Sequence, residues 1–219
     1  MDSVSAAQRG NLQSKKQDLV RHEIWTAAID LFYSEGFDAV TVDQIAERAG
    51  VSRRTYFRYF SSKDDLMGQT LKSYGELLSN AIHSQSADMG AYEAAKRAVA
   101  TILMCQSSPA TTERFMEIGK RSPAALSAQS LQLPIVEERL ARTFADRAGR
   151  TDGPSIEDRI VASLTFVTTK LCVDIWVKQP QQPVEEIVED VFARLSAVCL
   201  PTGRPKKKAA GTSSNRKKL

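Results

Sequence analysis

Histidine occurs only twice in these 219 residues, at His22 and His83, and cysteine three times, at Cys105, Cys172 and Cys199. No His/Cys cluster has metal-ligand spacing, and neither a phosphate-cradling glycine loop nor a nucleophile elbow occurs. The two histidines read as surface or helix-end residues. Acid pairs such as Glu137-Glu138 and Glu185-Glu186 are adjacent on helical segments and point in different directions, so they make no acid/base dyad. The expectation is a protein that is not an enzyme and takes no cofactor or metal. The cysteines are odd in number, widely separated and set in apolar stretches, which favours buried free thiols over disulfides. Alternating β-branched runs are also scarce, so the fold class expected is all-α, without a sheet. No apolar run approaches the roughly 18 residues needed to cross a bilayer, and the N-terminus is polar without a hydrophobic signal region. Membrane contact is therefore not expected, and the protein is placed in the cytoplasm.

With 42% hydrophobic residues the chain can bury a real core. Its net charge of +4 is unevenly distributed. The segment 201–219 holds seven cations (Arg204, Lys206, Lys207, Lys208, Arg216, Lys217, Lys218) and no acid, leaving 23 cations and 26 acids in the body. The sequence pI near 9.0 therefore belongs to the tail and does not mark the whole folded body as a binder of nucleic acid.

The chain divides into four stretches. Residues 1–14 lack hydrophobic periodicity and read as a disordered arm, while Lys15, Lys16 and Arg21 offer weak phosphate contacts. Residues 15–62 hold three short helices with one shared core. The first runs from about Asp18 to Ser34 on the stripe Ile24, Ala28, Leu31 and Phe32, and is stopped by Gly36. A unit this small depends for its stability on the helices C-terminal to it. Residues 63–200 are helical: a long helix from about Ser62 to Ser84, helices over 91–105 and 109–120, a stretch from Pro123 to Ala148 that is either two pieces or one kinked helix, and two helices ending near Lys178 and Cys199. Ile160, Leu164, Val167, Leu171 and Ile175 form one apolar line, and Val184, Ile187, Val188, Val191, Leu195 and Val198 another. Residues 201–219 form a basic disordered tail.

Residues 41–60 carry the chemistry. Thr41 and Gln44 have the spacing of a capping box, Ile45, Ala46 and Ala49 form a buried stripe, and Gly50 supplies the positive φ that ends a helix. Ser52 caps the next helix, where Tyr56, Tyr59 and Phe60 pack inward and Arg53, Arg54, Thr55, Phe57 and Arg58 lie toward the other side. From Arg48 to Lys63 there are five cations (Arg48, Arg53, Arg54, Arg58, Lys63) and no acid. Arginine forks onto guanine edges or phosphate, and free N–H groups at the Ser52 end bind anions. This pattern fits a helix-turn-helix entering DNA; a solvated basic face on an ordinary packed helix is the alternative.

The words AVTVDQIAERAGVSRRTYFRYFSSKDDL, with FYSEGF before them, closely resemble the TetR family of bacterial one-component transcriptional regulators, over roughly residues 20–70. The resemblance implies an N-terminal three-helix DNA-binding domain, a C-terminal helical ligand-binding and dimerisation domain, and an obligate homodimer. It also implies that Thr41 and Lys63 clamp the DNA backbone, while Ser52, Arg53, Arg54, Thr55, Phe57, Arg58 and Tyr59 form the recognition surface. Arg54 stands where the family often has a small residue, and Phe57 where tyrosine is commoner. RSPAALSAQSLQL, ERLARTFADRAGR and Trp176 are similar to a branch that accommodates acyl-CoA-like ligands. Met104, Phe115, Met116, Phe166 and Trp176 either line an apolar pocket or are ordinary core, and Arg114 and Arg121 either bind ligand phosphates or are solvated.

The function expected is a ligand-responsive repressor that pairs through its last two helices, binds a palindromic double-stranded operator as a homodimer, and is released by a small apolar or acyl-CoA-like effector. The alternative is an architectural or nucleoid DNA binder using Gly203-Arg204-Pro205 and the following lysines as a minor-groove hook; a solubilising tail or nonspecific anchor is the plainer explanation of that segment.

Overall fold

The computed structural model describes residues 2–105 and 108–199, with side chains from Lys15 onward. Ten helices follow one another: α1 Asp2–Glu35, α2 Val42–Arg48, α3 Arg53–Tyr59, α4 Lys63–His83, α5 Ala91–Met104, α6 Pro109–Arg121, α7 Pro123–Ser130, α8 Leu133–Arg147, α9 Ile156–Lys178 and α10 Val184–Cys199. No strand occurs among the described residues, so the fold is all-α. The basic tail lies outside them.

Local sequence chemistry sets most of these boundaries. Ser62, Ser108, Ser122 and Ser155 each accept an N–H from the first turn of the helix they open, and Pro109 and Pro123 stand at first positions, where no backbone donor is needed. Pro134 is the second residue of α8, where its missing N–H is likewise harmless, so the stretch from Pro123 resolves into two helices. The exception is α1, which is helical from Asp2 where a disordered arm is expected over 1–14. Once residues 24–32 are fixed by packing, each further residue gains a helical hydrogen bond without a new nucleation cost.

Two cores form. The first joins Ile24, Ala28 and Phe32 of α1 with Ile45, Tyr56 and Phe60, and it takes in Leu66 and Met67 of α4 and Ile118, Ala125 and Ala128 of α6 and α7. This core therefore reaches past residue 62. The second gathers Leu78 and Ile82 of α4, Ala98 and Val99 of α5, Leu140 and Phe144 of α8, and Ile187, Val188 and Phe192 of α10 around Cys172 and Trp176 of α9. Burial pushes the Cys172 thiol up to about 12, so it is an inert core group; Cys105 and Cys199, expected to be buried, are exposed.

Arg147 closes the joint between α4 and α5. Its Nη1 donates to the carbonyls of Ile82 (3.1 Å) and Gln85 (2.8 Å), and its Nη2 to those of Ser86 (2.8 Å) and Met89 (3.0 Å). The negative end of α4 favours a cation there. Helix α9 contains an 18-residue window of mean hydropathy 1.6, long and apolar enough by composition alone to cross a membrane, although Lys170 and Asp174 interrupt the helix so that it is no unbroken apolar run. Its inward face is made of Ala162, Thr165, Thr168, Thr169, Cys172 and Trp176, and its hydroxyls return to carbonyls of the same helix.

Candidate nucleic-acid interface

Tyr56 sets the direction of α3. Its ring is fully buried in the first core and its hydroxyl donates to the Ser62 carbonyl at 3.1 Å, tying α3 to the turn that starts α4. Burial pushes the phenol above its ordinary range, with the nearby carboxylates of Asp65 and Asp64 adding to the effect, so it stays a donor. With Tyr56 and Phe60 inside, helical spacing leaves Ser52, Arg53, Arg54, Phe57 and Arg58 exposed, and Thr55 and Tyr59 half-buried.

Both short helices are capped as their spacing requires. The Thr41 N–H donates to Gln44 Oε1 at 2.8 Å and the Gln44 N–H to Thr41 Oγ1 at 3.3 Å, closing the capping box. Gly50 has φ +64° between the helices, the left-handed value that a Cβ disfavours. The Thr55 N–H donates to Ser52 Oγ at 3.1 Å.

The five cations of this stretch do not all face outward. Arg53 Nη1 donates to both carboxyl oxygens of Asp43 on α2, at 3.0 and 2.7 Å, and its guanidinium lies 5.5 Å from the Phe57 ring centre. Both partners are 62% exposed, so the pair remains open to exchange with another anion. Arg58 lies over the Tyr59 ring at 5.0 Å. Arg48 and Arg54 are exposed and make no salt bridge among the described residues.

Lys63 departs from the expected role of phosphate clamp. Its ammonium donates to the carbonyls of Phe37 (2.6 Å), Asp38 (3.1 Å) and Val40 (3.1 Å), which accounts for all three N–H groups. It is a brace for the turn between α1 and α2. Arg21, read as a weak phosphate contact, donates to Gln69 Oε1 at 2.8 Å and lies 5.6 Å from the Phe60 ring centre.

A cavity of about 330 Å³ lies where α1, α4, α6, α7, α8 and α9 meet. Phe115, Met116 and Phe166 line it. Met104 and Trp176 do not. Met104 is the last residue of α5, turned outward and 54% exposed, while Trp176 is packed into the second core two helical turns beyond Thr169. The wall also takes Trp25 from α1 and Thr70, Leu71 and Tyr74 from α4, residues that α-helical periodicity alone does not distinguish from core. Arg114 and Arg121 are engaged away from it: Arg114 pairs with Asp30 at 2.6 Å, Arg121 with Glu117 at 3.1 Å, and both lie over the Tyr33 ring. Neither is placed to hold ligand phosphates in the cavity.

Residues 24–70 match the family described as bacterial regulatory proteins, tetR family. The match spans the whole capped, cation-bearing unit from Ile24 through the start of α4. Over residues 24–70 the chain carries a TetR-family DNA-binding unit. The curated relatives it resembles are transcriptional regulators and not enzymes. The HTH-type transcriptional regulator TcmR of Streptomyces glaucescens is 28% identical over 183 residues, covering 80% of this chain and 81% of the relative. The HTH-type regulator YdeS of Bacillus subtilis is 50% identical over 56 residues, but these are only 24% of this chain and 28% of that one. Among solved structures, a TetR-family regulator from Syntrophomonas wolfei superposes with a TM-score of 0.57 at 19% identity, over 83% of this chain and 95% of that one, which establishes the likeness of fold. TetR regulators bind DNA operators as dimers and respond to small molecules.

Proposed function

We propose that this TetR-family protein is an effector-released repressor that acts in the cytoplasm, reading a palindromic operator through paired α3 helices. The observation that carries this reading is the double membership of α4: Leu66 and Met67 belong to the core that holds the recognition helix, and Thr70, Leu71 and Tyr74 of the next two turns form cavity wall. The Trp25 indole N–H donates to Thr70 Oγ1 at 2.9 Å, so α1 is bonded to α4 at that same wall. A ligand that fits only one arrangement of this wall favours one placement of the DNA-binding unit.

On the DNA side, Arg54 and Arg58 are the base readers, Arg53 joins them by exchanging Asp43 for the groove, and Phe57 offers an apolar contact to thymine methyl groups. Thr41, Ser52, Thr55 and Tyr59 position the helix against phosphates. Two copies pair through α9 and α10, which sets the distance between recognition helices near one duplex turn. Fluorescence anisotropy with DNA from upstream of the protein's own gene tests the reading: that duplex is bound as a protein dimer, and a shuffled duplex competes poorly. Equal competition, or binding by a monomer, rejects it. The architectural alternative is less favoured, because family likeness lies in residues 24–70 and not in the tail. Removing residues 201–219 weakens salt-dependent affinity and leaves sequence preference intact.

A further inference from the structure

The polar atoms in the cavity wall fall into two groups. Every threonine and serine hydroxyl is already bonded within its own helix or cap: Thr169 to the Thr165 carbonyl at 2.6 Å, Ser130 to that of Leu126 at 2.8 Å, Thr70 to that of Leu66 at 2.9 Å, and the two threonines of α6 to Ser108. Three donors remain. Tyr74 Oη and Gln129 Nε2 are shut off from solvent and have no hydrogen-bond partner, and Lys170 makes no salt bridge among the described residues. No aspartate or glutamate contributes to the wall. Burial holds the Tyr74 phenol above its ordinary range, so it is an O–H donor at any physiological pH.

Unpaired buried donors are uncommon in native proteins and call for an explanation. Here both belong to residues that line a single cavity, whose only charged wall residue is the exposed Lys170 at its rim. A cationic ligand would meet an ammonium and no counter-acid. A purely apolar ligand would leave both donors orphaned, at a cost comparable to a lost hydrogen bond each. We propose that the cavity binds an amphipathic anion, an apolar body bearing a carboxylate or similar acidic oxygen group that is taken by Tyr74, Gln129 and Lys170. The terminal torsion of glutamine is soft, so Gln129 reaches the ligand by a local turn of its amide. The proposal rests on the cavity being the effector site and names the chemical class it selects.

A matched pair of fluorescent probes tests both points on the full chain. 1-Anilinonaphthalene-8-sulfonate is an amphipathic anion, and N-phenyl-1-naphthylamine has the same ring body without the sulfonate. The quantity read is the ratio of their dissociation constants. Lys170→Met weakens the anion about tenfold and leaves the neutral probe unchanged, as expected for loss of one charge-assisted bond. Tyr74→Phe has two effects of opposite direction: the melting temperature rises because an unsatisfied hydroxyl is gone, and the anion binds less tightly. A purely structural tyrosine would not combine them. If the ratio is the same in wild type and Lys170→Met, the anion assignment is overturned while the effector cavity stands. If neither probe binds to a protein that melts cooperatively, the cavity reading falls with it.

Discussion

Arg54 and Arg53 are neighbours on α3 with opposite local circumstances. Arg53 is held by Asp43 and must exchange one carboxylate for another anion, so its net gain on DNA is reduced by the pair it leaves. Arg54 is exposed without a salt bridge among the described residues, so on the proposed reading it would enter a groove with nothing to break. Arg54→Ala is therefore expected to cost operator binding about 1–3 kcal/mol while affinity for random duplex changes little. Anisotropy titrations on the two duplexes check this, and an equal loss on both would assign Arg54 to phosphate rather than to bases.

Asp158 gives a pH dependence with a definite sign. Its nearly buried carboxylate caps α9 through the Ser155 N–H (2.9 Å) and receives Arg150 Nε at 2.7 Å and Nη2 as well. The Arg150 hydrogen bonds hold its carboxyl below the ordinary value of 3.8 although burial opposes this. A carboxyl depressed in the folded state contributes stability that is complete above its unfolded pKa and is lost as pH falls through the folded one. Asp158→Asn is thus expected to be about 2 kcal/mol less stable than wild type at pH 7, with the gap shrinking below about pH 4. Denaturant melts at pH 7 and pH 3 compare the two; an unchanged gap would remove Asp158 as the source.

At the scale of elements, α4 is arranged so that α8 lies close against it. Gly75 is buried, and a Cβ there would stand 2.8 Å from both methyls of Val136 and 3.2 Å from its Cβ. A branched side chain contacted at its base cannot swing aside, so the two helices must separate. Gly75→Ala gains about 1 kcal/mol of helix propensity and loses about 1–3 kcal/mol to overpacking, for a net destabilisation. Adding Val136→Ala should recover part of that loss. A double-mutant cycle with no coupling between the two positions would contradict the contact.

What sequence revealed at this scale divides along physical lines. Helix starts were legible because a cap is a contact between residues three apart, as at Thr41 and Gln44 or Ser155 and Asp158. The inward face of α3 was legible for the same reason, through Tyr56 and Phe60. The function of Lys63 was not, since the carbonyls it binds lie 23 to 26 residues earlier in the chain. Trp176 was misplaced because hydrophobicity reports that a side chain leaves water, not which of two adjacent spaces it enters, and Met104 because it ends α5 and stays 54% exposed. Gln129 and Lys170 carried no signal at all: an unpaired donor is defined by what surrounds it, and only the packed helices supply that.

The whole molecule poses the question of α9. Its outward line, Ile156, Ile160, Leu164, Val167 and Leu171, is apolar, with Ile160 52%, Val167 53% and Leu171 48% exposed. Its inward face is built of small, hydroxylated and aromatic residues already packed in the second core. A continuous apolar stripe left exposed on the outer face of a packed helix marks an interaction surface. On the proposed reading a second copy of the chain is the partner, and near a twofold axis the same stripe would meet itself and be covered by residues of its own kind. Val167 stands at the middle of the line and outside both cores. Val167→Glu would place two like charges in a desolvated interface while leaving the fold of each copy undisturbed. Light scattering at micromolar concentration should find a monomer with unchanged helical circular dichroism. Operator affinity should fall by more than about tenfold as the two half-sites lose their linkage, while affinity for a single half-site stays the same. A Val167→Glu protein that remained dimeric with full operator affinity would place the twofold elsewhere and leave the apolar line of α9 without a partner.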